Sequence, residues 1–187
     1  METACAKNQK NLPVRLMFQD EARFGRMSYP RACWAPSPHR PTVGRALVRE
    51  FKYAYAAVSP WDGSLDYMTA QGMKSEDMSR FLEQVSESHR GDFVVMVLDG
   101  APSHKGKDLK IPENIAIVLL PPYSPELNPA EQLWNMLRRD YFANRVFDSL
   151  DAATRQAEKG LADIASNSEQ VKRLTNWPWV NDILKAK

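Results

Sequence analysis

Two stretches of this 187-residue chain, Phe93–Leu98 (FVVMVL) and 115–120 (IAIVLL), are apolar at every position. A strand with one face in water alternates apolar and polar side chains, whereas one without alternation is covered on both faces. The pair therefore predicts a sheet enclosed between layers of helix. A third run, 14–19 (VRLMFQ), reads as a strand that stops at Asp20-Glu21. Over 46–58, Phe51, Tyr53, Tyr55 and Ala57 alternate with Lys52, Ala54, Ala56 and Val58. Pro60-Trp-Asp-Gly63 then turns the chain and 65–70 returns, which predicts an antiparallel hairpin. The proline-rich segment 25–44 is predicted irregular, with one short strand near Trp34.

Helices are marked by period rather than by run. Ser75 can cap a helix to Ser88 whose Met78, Phe81, Leu82 and Val85 share one face. Asn128-Pro129 opens a second helix toward Phe142, with Leu133, Trp134 and Leu137 on its buried side and Glu131 and Arg138 on the other. Ser149 caps a third, carrying Leu150, Ala153, Ala157, Leu161 and Ile164 at helical spacing. The connection from Leu98 to Ile115 is short for a crossover helix and is predicted to hold one or two helical turns around 108–111. The fold class is α/β, with a mixed five-stranded sheet and helices on both faces.

Size and composition fit a single domain over 14–187, preceded by a polar linker or disordered stretch over 1–13. A net charge of +2 neither demands nor excludes nucleic acid. Cys5 and Cys33 lack the paired spacing of a zinc site and fit a reducing cytoplasm. No apolar run approaches the roughly 20 residues that span a bilayer.

Functional groups of an open sheet gather beyond the carboxyl ends of its strands. Asp20 follows the first apolar run and Asp99 the run 93–98. If those strands are neighbours, the two carboxylates repel each other unless a cation lies between them. Magnesium and manganese prefer such oxygen ligands. A third acid from a helix would complete a site for two ions that clamp the attacking and leaving oxygens of a phosphodiester. Glu131, at N3 of a helix capped by Asn128, is a candidate, but the same spacing is a capping box in which Glu131 only returns a hydrogen bond to the cap. Glu21 competes with Asp20, because adjacent strand residues face opposite ways, and Glu126 competes with Glu131. His104, five residues after Asp99, can reach the same site as a proton shuttle or phosphate ligand. Basic residues near the acids, among them Arg31, Arg45, Lys105, Lys107, Arg138 and Arg139, suit a rim that binds a nucleic-acid backbone or are solvated surface charge. Trp34 and Tyr123 can stack on bases or pack within the protein.

Phe18-Gln-Asp-Glu21, Leu98-Asp-Gly-Ala-Pro-Ser-His104 and 119–134 (LLPPYSPELNPAEQLW) together resemble the catalytic domain of mariner-superfamily transposases. The likeness is greatest to bacterial insertion-sequence transposases of the six-thirty family, within the DDE endonuclease group, and runs over 14–147. It implies a ribonuclease-H-like fold and a triad of Asp20, Asp99 and Glu131 as catalytic metal ligands, for two ions of Mg2+ or Mn2+. It implies hydrolysis at transposon ends followed by attack of the freed 3′-hydroxyl on target DNA, in a homodimer working in the bacterial cytoplasm on nucleoid DNA. Two features depart from the family pattern: Gly100 stands where Asn is common, and the gap from Asp99 to Glu131 is a few residues short. Such transposases also carry N-terminal helix-turn-helix domains, for which the residues before Val14 are too few. The expectation is a catalytic domain alone, from a truncated copy, a separately expressed piece or a split reading frame whose other product supplies the helix-turn-helix subunit. Two other functions stay open: an idle relic that binds DNA or a partner subunit, and a nuclease of the same fold acting on RNA–DNA hybrids or junctions.

Overall fold

The computed structural model describes residues 6–101, 108–122 and 124–185. Five strands form one sheet: β1 (Val14–Gly25), β2 (Phe51–Val58), β3 (Leu65–Ala70), β4 (Phe93–Leu98) and β5 (Ile115–Leu119), in the order β3-β2-β1-β4-β5. β1, β2 and β3 form an antiparallel meander, while β4 and β5 join β1 in parallel. The two unalternating runs are thus the parallel strands, and every residue of β4 is buried.

Helix α1 (Ser75–Ser88) covers one face of the sheet, and its Met78, Phe81, Leu82 and Val85 are buried against Met17, Tyr55, Val94 and Met96. The other face carries α2 (Glu131–Leu137), α3 (Leu150–Ala165), α4 (Ser168–Thr175) and α5 (Pro178–Lys185). Their core meets Leu16, Phe18, Phe24, Val95 and Val97 from the strands. α3 begins at the expected cap, where Ser149 Oγ accepts from the Ala152 amide at 3.1 Å. α1 does not: Ser75 is its first residue, and Lys74 before it makes no side-chain cap.

β1 does not end at Asp20. It continues to Gly25 because β2 stays paired with it down to Gly25↔Phe51, so Asp20 and Glu21 lie within the strand rather than after it. β2 starts at Phe51 rather than Ala46, since the Ala46 amide donates to Ser28 Oγ and its carbonyl accepts from the Ser28 amide. No strand forms near Trp34, which stands fully exposed in a segment without regular structure. Residues 108–112 are not helical. The chain after Ala165, to which the sequence patterns assign no element, forms α4 and α5, and Trp179 of α5 meets Phe18 edge-on with ring centroids 5.9 Å apart.

α2 runs directly into a π turn over Arg138–Phe142. α3 packs so closely on this unit that a Cβ on Gly160 would lie 2.4 Å from Leu137 Cδ1 and 2.8 Å from Tyr141 Cγ. Alanine at a helix interior gains about 1 kcal/mol over glycine, but overpacking costs about 1–3 kcal/mol. Leu137 is fully buried and has nowhere to move. Gly160→Ala is therefore expected to destabilise the domain by about 1 kcal/mol in urea denaturation, and a stabilised variant would contradict this packing.

Candidate active site

Asp20 and Asp99 are brought together by strand register. Val14 pairs with Phe93 and Phe18 with Val97, and the same offset puts Asp20 level with Asp99 just beyond the end of β4. Asp20 alternates with Leu16, Phe18, Ala22 and Phe24, so it faces the side of the sheet that carries α2. Glu21 points the other way, where its charge, after burial, helps push the Tyr55 hydroxyl above its ordinary pKa. Glu21 accordingly does not line the cleft in which Asp20 sits.

The third acid arrives on the opening turn of α2. The helix starts later than its sequence suggests: Glu131 is its first residue rather than its third, Ala130 at the cap position makes no side-chain cap, and Asn128 braces the turn ahead of it, its Oδ1 accepting from the Ala130 amide at 3.1 Å. The Asn128 amide donates to the Pro125 carbonyl at 2.9 Å, so the reciprocal bond of a capping box is not what holds Glu131. Glu131 is half-buried and lines a cleft of about 400 Å³ together with Asp20 and Asp99. Leu119, Leu120, Pro121, Pro122 and Pro125 form its apolar wall. The prolines restrict this loop, which carries the chain from the end of β5 to the start of α2.

The three carboxylates differ in setting. Asp20 Oδ2 accepts from the Trp134 indole Nε1–H at 2.8 Å. Burial, with the nearby Glu131 charge second, raises the Asp20 carboxyl from 3.8 to about 7, against the lowering effect of the indole bond. Asp99 is exposed at the mouth, its Oδ1 accepting from the Ala101 amide at 2.9 Å. Among the described residues, no three His, Cys, Asp or Glu side chains stand close enough to hold one ion as placed. The three acids share the cleft without closing on a point. Their chemistry still fits a hard divalent cation: all three offer carboxylate oxygens, and the Asp20–Glu131 repulsion is what a cation between them relieves.

Two site residues lay hidden in the sequence. Trp134 is buried as expected, yet its N–H serves Asp20. Asn128 does more than brace that turn, donating through Nδ2 to the Gln19 carbonyl at 2.9 Å. Their signal was spacing, each lying three residues from Glu131. Of the basic and aromatic candidates, His104, Lys105, Lys107 and Tyr123 lie outside the described residues. Arg31, Trp34 and Arg45 are exposed on the β1–β2 connection, where the Arg31 amide donates to Asn144 Oδ1. Arg138 lies 5.5 Å over the Phe24 ring and Arg139 pairs with Asp140. None of these five described residues lines the cleft. Among the described residues, no helix is long and apolar enough to cross a membrane.

A meander extended by two parallel strands, with helices on both faces and acids where β1 passes the end of β4, is a ribonuclease-H-like fold. The model of the DDE superfamily endonuclease family matches residues 15–154, and the chain belongs to that family. A protein of Sinorhizobium fredii (strain NBRC 101917 / NGR234), named only as uncharacterized protein y4pE/y4sA, is 36% identical over 100 residues, 53% of this chain and 74% of the relative. Among solved structures, the Mos1 transposase paired-end complex with left transposon end superposes with a TM-score of 0.56 at 13% identity, over 92% of this chain and 59% of that one. The Mos1 mariner paired end complexes with Mn and with Mg give 0.56 and 0.55 at 14% and 16% identity. They cover 87% and 90% of this chain and 56% and 55% of theirs. At these identities the likeness is one of fold, and the chain spans less than two thirds of the Mos1 chain.

Proposed function

We propose that this domain cuts DNA at transposon ends and joins the freed ends to target DNA, using Asp20, Asp99 and Glu131 to hold two divalent ions, magnesium or manganese. The reading rests on one observation: strand register and the α2 start bring three carboxylates from distant parts of the chain to one cleft. When bound, the ions would supply charge for the attacking and leaving oxygens of an in-line displacement. The protein's own work is placement. β1 and the end of β4 set Asp20 and Asp99 at one level of the sheet, the proline loop leads to Glu131 in the same cleft, and the apolar wall would shield one side of a bound phosphate from bulk water. In the first step, water attacks the phosphodiester and leaves a 3′-hydroxyl and a 5′-phosphate. In the second, that hydroxyl attacks a target phosphodiester and displaces its 3′ oxygen.

The exposed Arg31, Arg45 and Arg139, with Arg138 and Trp34, are proposed to contact the DNA backbone and bases outside the cleft. A homodimer, and a separately encoded helix-turn-helix subunit that reads the ends, complete the proposed assembly. The test offers three substrates to the purified chain with Mg2+ or Mn2+: a duplex bearing the inverted repeats that flank its reading frame, an RNA–DNA hybrid and a branched junction. Nicking at the repeat followed by strand joining is expected. Cleavage of the hybrid or junction alone would replace this reading with a nuclease. DNA binding without cleavage of any substrate would mark an idle domain.

A further inference from the structure

We propose that Trp134 and Asn128 are positioning residues that lock Asp20 to Glu131, and that Trp134 sets the orientation of the Asp20 carboxyl in the cleft. The inference rests on the proposed role of Asp20 and Glu131 as metal ligands. Glu131 and Trp134 are three residues apart on the first turn of α2 and so share one side of it, and Asn128 stands just ahead of the helix. The outer two reach consecutive residues of β1. Asn128 Nδ2 donates to the Gln19 carbonyl at 2.9 Å, and Trp134 Nε1 donates to Asp20 Oδ2 at 2.8 Å. Glu131, the first residue of α2, lies between these anchors in the chain.

The anchors sit where they are needed. β1 loses its last β4 pair at Phe18↔Val97, so the Gln19 carbonyl lies just past that ladder, and Asn128 takes it. Asn128 is 3% exposed and Trp134 1%, so water does not compete for either bond. Because Asn128 Oδ1 also accepts from the Ala130 amide, the Asn128 side chain cannot rotate without losing a partner. An indole is a donor only, with one N–H. Fixed on Oδ2, it sets the rotation of the Asp20 carboxyl, which also accepts from the Glu21 amide, so the carboxyl is held in one direction. A tryptophan that merely filled the core would place its N–H on any acceptor in reach. This one places it on a cleft carboxylate, one helical turn from another.

The experiment is a Mn2+ titration of the DNA-free, full-length chain by calorimetry. Trp134→Phe keeps the ring and removes the donor, and Asp20→Ala removes the ligand. Asp20→Ala should abolish binding at the site. Trp134→Phe should weaken Mn2+ by about 10–100-fold, as loss of an outer-shell partner does, while far-UV circular dichroism and a cooperative melt are kept. Wild-type affinity in Trp134→Phe alone overturns this inference. Wild-type affinity in both variants overturns it together with the ligand assignment beneath it. If Trp134→Phe does not fold, Mg2+ is titrated into the wild-type chain with 15N-labelled indoles. The Trp134 indole proton should shift with the midpoint of metal binding, and a resonance that stays put at saturation overturns the inference.

Discussion

Asp99→Asn should abolish metal-dependent strand cleavage, by about 10³-fold or more, and leave the fold unchanged. The expected loss is equivalent to some 4 kcal/mol of barrier, because one of the three groups that would hold the ions becomes a neutral amide of the same shape. Stability should hardly respond. Asp99 is exposed, and an asparagine Oδ1 can still accept the bond that the Ala101 amide makes to Asp99 Oδ1. Exposed substitutions of this kind fall within about 0.5 kcal/mol, so the melting temperature should move by no more than about 2 °C. The pairing of a lost rate with an unmoved melt separates a chemical role from a structural one. Nicking of the repeat duplex at the wild-type rate by Asp99→Asn would remove Asp99 from the mechanism.

What the sequence made legible follows the range of the interactions involved. β4, β5 and the buried face of α1 were readable because a local pattern of apolar side chains decides them. The end of β1 was misread for the opposite reason. Asp20-Glu21 looks like a terminator locally, but pairing to a distant segment of the chain, β2, carries the strand on to Gly25. Within that extended strand Asp20 and Glu21 lie on opposite faces, and it is Asp20 that shares the α2 side, which no local pattern contains. Glu131 was legible as a helix-start acid, yet whether it closed a capping box depended on where the Asn128 amide went, and Pro125 takes it. Asn128 and Trp134 read locally as cap and core. Their side-chain bonds to Gln19 and Asp20 reach 109 and 114 residues back along the chain, beyond any periodicity. α4 was missed although Asn167 caps it through the Gln170 amide, because only Val171 and Thr175 of that short helix are buried.

In the metal-free protein, Asp20→Asn should raise stability at alkaline pH and leave it unchanged near pH 4. Burial, with the Glu131 charge behind it, holds the Asp20 carboxyl at about 7 in the folded state, against an ordinary value of 3.8. The folded chain therefore binds this proton more tightly than the unfolded chain. Below the ordinary value both states are protonated and the group is indifferent. Between there and pH 7 the unfolded chain releases the proton while the folded chain keeps it, so stability falls as pH rises, and above pH 7 the whole cost is present. That cost is on the order of 4 kcal/mol, or about 10 °C of melting temperature for a domain of this size. Asparagine removes it and can still accept the Trp134 bond. Thermal melts in chelator should show the two proteins together near pH 4 and diverging toward pH 8, with the variant higher. Added Mg2+ at pH 8 should raise the wild type alone, because a cation supplies what the buried carboxylate lacks. A gap between the proteins that does not change with pH would sink this account of Asp20. The divergence itself would identify Asp20 as a charge the fold tolerates at a cost in stability, as is common where a scaffold holds ligands for a metal rather than for itself.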